Sequence, residues 1–532
     1  MLSEEVTEKK SVLLLLTVAS SLLVSVSFPP FDLGICAWFG LAPLLFVLRR
    51  RGFLAASLLG LLFGSLFGIG AFFWTMKIDV FRLPDFLSCL IIFSFYFLAF
   101  GFFYRLISRN LGTWTLIGTP ALWVTLEYIR SNLFFLSWPW NLLGHSQHNY
   151  LAVIQIADIT GVYGISFLLV MANHFLSKAP DFFIIRKELL SVGERRFSYD
   201  NKLGAQLLTV SLVLAVTFFY GWYRLTVSDS SKLMRVALIQ ANAVTRENMT
   251  FLQQKLQMLK YAGLTRDAAG SKPDLIVWPA SSLPAPISDR YVRYTLWFLA
   301  KEIKSYILVG GSGQEKDKPK KEGSVQYSNT EFLISPEGKI DGQYNKMLLL
   351  PFNEYVPLQG IIRWPKWITT VTENFIPGTE FTLFHVGGTS FGSPICWENM
   401  FPDLFRSFVD KGAQFMISVT NEGFMGNSSS AGQHQTLAMN VFRAVENRVA
   451  VARAATTGVS CFINPNGEIV DRVKDGNGKD LFVPGILVRD IPLSNKKTFY
   501  TVYGDVFAYI VIGITALIVL IATIRSKKNH SY

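Results

Sequence analysis

The sequence predicts an α-helical membrane bundle joined to a soluble α/β domain. Half of the 532 residues are hydrophobic and 14% are aromatic, a composition typical of membrane proteins. However, 17% of the residues are charged, which is high for a chain that lies wholly in a bilayer. The chain is also too long for one ordinary core, so at least two domains are expected.

The predicted bundle comprises eight apolar segments, of which seven precede the long polar part of the chain. The segments are residues 11–27, 33–48, 53–73, 86–103, 114–128, 153–175, 203–220 and 506–524. The first segment lacks a small-residue cleavage site, so we interpret it as a retained span. We therefore predict a membrane domain at 1–227, a soluble domain at 228–494, and a final span with its tail at 495–532.

The placement of charge predicts the orientation of the bundle. With a cytoplasmic N-terminus, the short outer loops hold only Lys77, Arg82 and Arg130, whereas clusters such as residues 49–51 lie inside. This asymmetry follows the positive-inside rule and agrees with eight spans. Both termini are then cytoplasmic and the soluble domain lies outside. The net charge of +12 suits an anionic leaflet better than a nucleic acid.

The polar part of the chain alternates short β-rich runs with helical stretches, a pattern typical of a sheet covered by helices. The predicted strands are 235–240, 275–278, 307–310, 331–334, 393–396, 415–419 and 449–454, and the predicted helices are 248–262, 291–305 and 433–447.

Cys396 is the first candidate functional residue. It lies in the run FGSPICWEN, residues 391–399, where a buried strand should give way to a turn. A lone cysteine is more often a buried structural residue. Two other runs favour chemistry instead. YNKMLLLPFNEYVP, residues 344–357, places Lys346 and Glu354 around an apolar strand, and LIVWPASSLP, residues 275–284, is a strand that breaks at a proline.

Glutamate, lysine and cysteine at three strand ends would supply the groups that nucleophilic catalysis by a thiol needs. A cysteine is a nucleophile only as its thiolate, which calls for a nearby base or cation. A lysine can hold the negative oxygen of a tetrahedral intermediate, and a carboxylate can carry the thiol proton to the leaving group. Cys36, Cys89 and Cys461 add no paired spacing, and His145 with His148 lacks further ligands, so no metal is expected.

These runs resemble the nitrilase superfamily. The runs WPWNLLGHSQ, SVTNEGFMG and RAVENRVAVARAATTG also fit, and the eight-span form is similar to the apolipoprotein N-acyltransferases of bacterial inner membranes. The resemblance covers essentially the whole chain. It implies a four-layer αββα sandwich domain over the bundle, with Cys396 as nucleophile, Lys346 as oxyanion stabiliser and the Trp397 amide as second oxyanion donor.

The resemblance also implies supporting residues. Glu354 and Glu398 match accessory carboxylates near the thiol, and Asn421 is expected to support the site from the run SVTNEGFMG. For each carboxylate, ordinary structural hydrogen bonding is an equally good interpretation.

The implied reaction is the last step of lipoprotein maturation. Cys396 takes an acyl chain from a phospholipid, chiefly phosphatidylethanolamine, and the thioester passes it to the amino-terminal amine of diacylglyceryl-cysteine in an apolipoprotein. No cofactor is called for. The resemblance implies a monomeric, multi-pass protein of the inner membrane with its catalytic domain in the periplasm.

Position 280 departs from the family pattern. The family motif is W-P-E, and here it reads Trp278, Pro279, Ala280. Loss of a general base typically removes ~10²–10⁴ of rate, so the chain is expected to be nearly inactive. Either Ala280 is an engineered substitution or the chain is a natural homologue that has lost catalysis. The intact Lys346, Cys396 and Glu354 favour the engineered explanation, because a decaying site has no reason to keep them. Rescue by Ser281, Ser282 or Glu354 is less favoured, since a hydroxyl is a poor base.

Four tryptophans are candidate substrate contacts. Residues 359–375 are apolar with interleaved basic residues, which favours an interfacial lid carrying Trp364 and Trp367, although a packed core hairpin would also fit. Trp138 and Trp140 lie in a predicted outer loop, at the same membrane face as the soluble domain.

Three other functions can be considered from the sequence alone. A membrane-anchored nitrilase-type amidase would need neither an apolar lid nor aromatic outer loops. A catalytically dead lipid- or lipoprotein-binding protein would explain Ala280. A transporter is disfavoured, because Glu127 and Arg130 form the only conspicuous charge pair and lie near a span end.

Overall fold

The computed structural model describes residues 10–78, 81–180, 197–227, 232–243, 249–314, 327–365, 374–425 and 431–528. The chain forms two compact units. The helical unit comprises Met1–Met76, Phe81–Val227 and Asp505–Tyr532, and the α/β unit comprises Lys77–Val80 and Ser228–Gly504. Residues 495–504, which the sequence prediction assigned to the final membrane segment, thus lie in the α/β unit.

The helical unit is built from apolar helices. In chain order they are α1 (Lys10–Val26), α2 (Ala42–Leu48), α3 (Phe53–Phe72), α4 (Leu83–Asn110), α5 (Thr115–Asn132), α6 (Leu151–Ile154), α7 (Ala157–Thr160), α8 (Val162–Leu176) and α9 (Phe197–Thr226), with Val506–Lys528 at the C-terminal end. Helices α3 and α4 approach closely at glycines. A Cβ on Gly60 would lie 2.1 Å from the Phe97 carbonyl oxygen, so only glycine fits there.

Four helices in the described residues are long and apolar enough to cross a membrane. They are Phe53–Lys77, Leu83–Asn110, Leu203–Thr226 and Val506–Lys528. The other apolar helices are shorter, as with the 17 residues of α1, and a straight span needs about 20 residues. A membrane part is therefore indicated, whereas the count of eight spans stays a prediction.

The α/β unit contains two six-stranded sheets in the described residues. Its strands are β1 (Leu233–Gln240), β2 (Leu275–Val277), β3 (Tyr306–Gln314), β4 (Tyr327–Ile334), β5 (Ile340–Asn345), β6 (Phe384–Val386), β7 (Thr389–Gly392), β8 (Phe415–Thr420), β9 (Val451–Ala455), β10 (Cys461–Ile463), β11 (Ile469–Arg472) and β12 (Gly485–Pro492). The orders are β12-β1-β2-β3-β4-β5 and β11-β10-β9-β8-β7-β6.

Helices cover the outer faces of the two sheets. They are α10 (Phe251–Ala269), α11 (Arg290–Ile303), α12 (Pro402–Asp410), α13 (Ala431–Asn447) and α14 (Phe499–Tyr503), followed by α15 (Val506–Lys528) in the helical unit. Met258 on α10 and Leu296 on α11 join one buried cluster with Ile239 and Trp278 of the first sheet. The inner faces meet where Gln240 of β1 accepts a hydrogen bond from the Ser460 amide. This layering agrees with the predicted αββα sandwich.

Two local predictions were wrong. Residues 393–396 do not form the predicted strand, because β7 covers Thr389–Gly392, only an isolated bridge joins Ile395 to Val419, and a single helical turn begins at Cys396. The apolar run after Lys346 is not a strand either. Its backbone N–H groups at Met347, Leu348 and Leu350 donate to glutamate side chains instead of to a neighbouring strand.

A buried ion pair stabilises the second sheet. Arg453 on β9 donates to Glu422 Oε1 at 2.5 Å and to Asn440 Oδ1 of α13 at 3.1 Å, and both charged side chains are at most 1% exposed. Removing one partner of such a pair leaves an uncompensated buried charge, which costs about 3–5 kcal/mol.

We predict that Arg453→Met lowers the midpoint of thermal unfolding of the α/β unit by roughly 10 °C, because Glu422 loses its buried cation. Circular dichroism in detergent measures the midpoint. Arg235→Met is the matched control, since it breaks an ion pair with Asp490 on the protein surface and should leave the midpoint nearly unchanged. Equal shifts for both variants would contradict the account.

Candidate active site

The candidate site lies where several strands of the two sheets end. Ala280 follows β2, Lys346 follows β5, Cys396 follows β7 and Asn421 follows β8. The carboxyl ends of strands are where open α/β sheets usually hold their ligands. The structure thus places Ala280, Lys346, Cys396 and Asn421 after the carboxyl ends of strands.

Cys396 occupies a strained turn. Its φ angle is +52°, in the left-handed region that non-glycine residues seldom adopt. Side chains on the same turn hold this conformation. Glu398 Oε2 accepts from the Ile395 amide at 2.8 Å, and Asn399 Nδ2 donates to the carbonyl oxygens of Pro394 and Cys396. Strain of about 1–3 kcal/mol at such a residue persists only where its surroundings enforce it.

Lys346 supplies a buried positive charge. Its Nζ donates to Glu354 Oε2 at 2.6 Å, and only 2% of the lysine side chain is exposed. Glu354 also accepts from the Leu350 amide at 2.6 Å and from Asn329 Nδ2 at 3.0 Å. Burial lowers the pKa of Lys346, but Glu354 and Cys396 raise it, and the net direction is upward. The lysine is therefore a fixed cation at neutral pH.

The thiol of Cys396 is the group that needs this cation. Burial raises the pKa of Cys396, Lys346 lowers it, and the Glu354 carboxylate raises it again. The backbone N–H of Asn421 donates toward the sulfur and lowers the pKa, yet the net direction remains upward. The thiol therefore stays protonated at neutral pH, so a nearby base must take its proton before it can attack.

Glu398 serves as a structural clamp. Its Oε1 accepts from Tyr344 Oη at 2.9 Å and from the Met347 and Leu348 amides at 2.6 and 3.0 Å, while Oε2 accepts from Ile395. These donors tie the segment after β5 to the cysteine turn. Burial raises the pKa of Glu398 and these hydrogen bonds lower it, with a net upward direction, but both carboxylate oxygens are already engaged in holding the backbone. The geometry thus favours the structural interpretation of Glu398.

Trp397 follows Cys396 in the same turn, and the backbone of Asn421 approaches the sulfur. Trp397 belongs to the cysteine turn and packs edge-on against Phe401, with ring centroids 5.6 Å apart. The Asn421 side chain accepts from Thr456 Oγ1 at 3.0 Å and from the Gly423 amide at 3.2 Å. The side chain of Asn421 therefore fixes the loop from which its backbone N–H reaches Cys396.

Position 280 carries no acid. Ala280 is 1% exposed and lies shortly after the end of β2. Neither of two groups considered for rescue is suited to the task. Ser282 Oγ donates to the Gly310 carbonyl at 3.2 Å, and Glu354 is bound to Lys346.

Sequence reasoning missed two polar residues on β4. Asn329 orients Glu354, as described above. Glu331 is completely buried, and neither of its carboxylate oxygens has a hydrogen-bond partner among the described residues. The available signal was a glutamate at the start of the predicted strand 331–334, whose other three residues are apolar, because buried glutamates are rare unless paired.

The predicted substrate tryptophans are divided between the two units, with Trp138 and Trp140 in the helical unit and Trp364 in the α/β unit. Trp364 Nε1 donates to the Pro357 carbonyl at 2.7 Å, and its ring packs on Phe352 at 5.0 Å. Trp138 packs against Phe72 and Trp140 against Trp74, all within the helical unit. Trp367 lies outside the described residues. Their role in substrate binding stays a prediction.

Comparisons with known proteins find relatives of both the helical unit and the α/β unit. The family profile described as "Apolipoprotein N-acyltransferase N-terminal domain" matches residues 20–175, and "Carbon-nitrogen hydrolase" matches residues 235–496. The chain is 34% identical to an apolipoprotein N-acyltransferase of Geobacter metallireducens, over 97% of this chain and 96% of the relative. It is 28% identical to an apolipoprotein N-acyltransferase of Chlorobaculum tepidum, over 96% of this chain and 97% of the relative.

A solved structure also matches part of the chain. An amidase from Nesterenkonia sp. is 20% identical, with a TM-score of 0.36, and the match covers 50% of this chain and 93% of that one.

We predict that alkylation of Cys396 by iodoacetamide accelerates as pH rises, because the thiol pKa lies above its usual value. Lys346→Met should slow alkylation roughly tenfold at pH 7, the effect of about one unit of thiol pKa. Peptide mapping by mass spectrometry follows the modification. Lys301→Met, at a lysine that stacks on Trp297, is the control. Unchanged alkylation in Lys346→Met would refute the role given to this cation.

Proposed function

The chain belongs to the apolipoprotein N-acyltransferase family, and from this membership we propose that it moves an acyl chain from a phospholipid to an apolipoprotein. The donor is phosphatidylethanolamine, and the acceptor is the amino-terminal amine of diacylglyceryl-cysteine. The observation that carries the proposal for this chain is the cysteine on a strained turn with a buried lysine beside it. Structural cysteines need neither feature.

In the first half-reaction, Cys396 Sγ attacks the ester carbonyl carbon of the phospholipid. A sulfur–carbon bond forms, the carbon–oxygen bond to glycerol breaks, and a lysophospholipid leaves. The thiol proton passes through a carboxylate to the departing oxygen. The Lys346 ammonium and the Trp397 N–H stabilise the negative oxygen of the tetrahedral intermediate. No metal or cofactor takes part in this transfer.

In the second half-reaction, the neutral amine of the acceptor attacks the thioester carbon. An amide bond forms, the carbon–sulfur bond breaks, and the proton lost by nitrogen returns to the sulfur through the same carboxylate. The thioester divides one difficult transfer into two easier steps. Glu354 and Glu398 hold Lys346 and the cysteine turn in place for both steps, as their hydrogen bonds indicate.

The apolar helices and the named relatives indicate a membrane protein. We extend this to eight spans in the bacterial inner membrane, with the spans in residues 1–227 and 505–532. The domain at 228–504 then lies in the periplasm and both termini in the cytoplasm. The excess of basic residues in the inner loops supports this orientation. We further propose that the protein acts as a monomer.

The catalytic power of the chain depends on its proton-transfer group. If position 280 were the only place for that group, Ala280 would reduce the rate by ~10²–10⁴. An inactive lipid- or lipoprotein-binding protein is therefore the second candidate function, and the absent acid at position 280 is the observation that favours it.

We predict that Ala280→Glu gains an acyl mass that hydroxylamine removes, after incubation with phosphatidylethanolamine in detergent, since the variant restores the family motif. Intact mass spectrometry measures the product. Adding Cys396→Ala should abolish the acyl mass, whereas Cys461→Ala, at a buried cysteine of the same domain, should retain it. Adding Lys346→Met should slow acylation by roughly 10²–10³. No acyl mass in Ala280→Glu would reject the proposed enzyme and favour the binding protein.

A further inference from the structure

Glu331 is an exceptional side chain in the α/β unit. It lies on β4 with 0% of its surface exposed, and both of its carboxylate oxygens lack a hydrogen-bond partner among the described residues. The other buried glutamates of the described α/β unit each have partners, as with Glu354 to Lys346 and Glu422 to Arg453. A buried carboxylate without a partner weakens the fold, so a functional explanation is needed.

The carboxylate of Glu331 lies beside the position that lacks its acid. Glu331 is the strand partner of Gly310 on β3. A Cβ on Gly310 would lie 2.5 Å from Glu331 Oε1, 2.7 Å from Ala280 Cα and 2.8 Å from the Ser281 amide nitrogen. The carboxylate and Ala280 therefore both lie against the Gly310 backbone, so close together that no methyl group would fit between them. Any larger residue at position 310 would displace the carboxylate.

Glu331 also shares its face of the sheet with the rest of the site. Side chains two residues apart on a strand point to the same face, and so do directly opposite strand partners. Asn329, two residues before Glu331, binds Glu354. Tyr344, the strand partner of Glu331 on β5, binds Glu398 and precedes Lys346 by two residues. The unpartnered carboxylate thus lies among the residues that position Lys346 and Cys396.

We propose that Glu331 is the proton-transfer carboxylate of this site and takes the place of the glutamate missing at position 280. The inference rests on the function proposed above. Glu331 accepts the Cys396 proton, directly or through one water molecule, as the sulfur–carbon bond forms. It then gives this proton to the departing glycerol oxygen. In the second half-reaction it accepts the proton lost by the amine nitrogen and returns it to sulfur.

The burial of Glu331 determines how the reaction should depend on pH. Burial raises the pKa of this carboxyl well above its usual range. At low pH the group is protonated and cannot accept a proton, so thioester formation is slow. Raising the pH through the elevated pKa ionises Glu331 and accelerates the reaction. Glu331→Gln removes this ionisation and its contribution to the pH dependence.

The test compares the rate of thioester formation from phosphatidylethanolamine in five forms of the full chain. These are the unsubstituted chain, Glu331→Gln, Ala280→Glu, the double variant Ala280→Glu with Glu331→Gln, and Glu337→Gln. The last makes the same chemical change at an exposed glutamate shortly after β4. We expect the unsubstituted chain and Glu337→Gln to react at the same rate and Glu331→Gln to react ~10²–10⁴-fold more slowly. We expect the double variant to recover.

Recovery of the acylation rate in the double variant would show that Glu331→Gln impairs catalysis and not folding. Because Glu331 stabilises no partner in the described structure, Glu331→Gln should unfold at or above the temperature of the unsubstituted chain. An unchanged acylation rate in Glu331→Gln would overturn the inference. So would an inert unsubstituted chain beside an active Ala280→Glu variant, which would leave the proposed function intact. If neither of those two forms acylates, the proposed function itself fails.

Discussion

The buried positive charge of Lys346 is the interaction on which the rest of the site depends. A thiol enclosed by protein resists ionisation, and Lys346 is the nearby cation that opposes this effect at Cys396. A lone buried ammonium would itself cost several kcal/mol, so Glu354 must accompany it. Glu354 in turn is held by the Leu350 amide and Asn329. The ends of β4, β5 and β7 must therefore converge, and the two-sheet fold brings them together.

Several residues of this arrangement are predictable from sequence. Cys396, Lys346 and Glu354 are recognisable because reactive or charged residues are rare inside apolar runs, and their order along the chain matches a known family. The alternation of strands and helices predicts the α/β unit for the same reason: buried faces impose a periodicity on the sequence. The roles of Glu354 and Glu398 could not be separated in this way, since each role depends on which backbone amides reach the carboxylate.

Pairing between distant strands is the information that the sequence lacks. The run after Lys346 has the composition of a strand, yet its amides at Met347 and Leu350 donate to Glu398 and Glu354 instead of to a neighbouring strand. Glu331 shows the same limit. A glutamate in an apolar strand is visible in the sequence, but its position opposite Gly310 and beside Ala280 emerges only from the register of β3 and β4. The structure therefore still has a carboxylate beside position 280, although the motif itself has no acid there.

The most direct test of the account is a chase of the acyl-enzyme. The unsubstituted chain is incubated with phosphatidylethanolamine that carries an isotopically labelled acyl chain, freed of donor, and mixed with a diacylglyceryl-cysteine peptide. Mass spectrometry follows both molecules. The account predicts that the labelled chain leaves Cys396 and appears as an amide on the peptide's amino-terminal nitrogen. A label that never reaches Cys396, or that reaches the peptide equally well in Cys396→Ala, would contradict it.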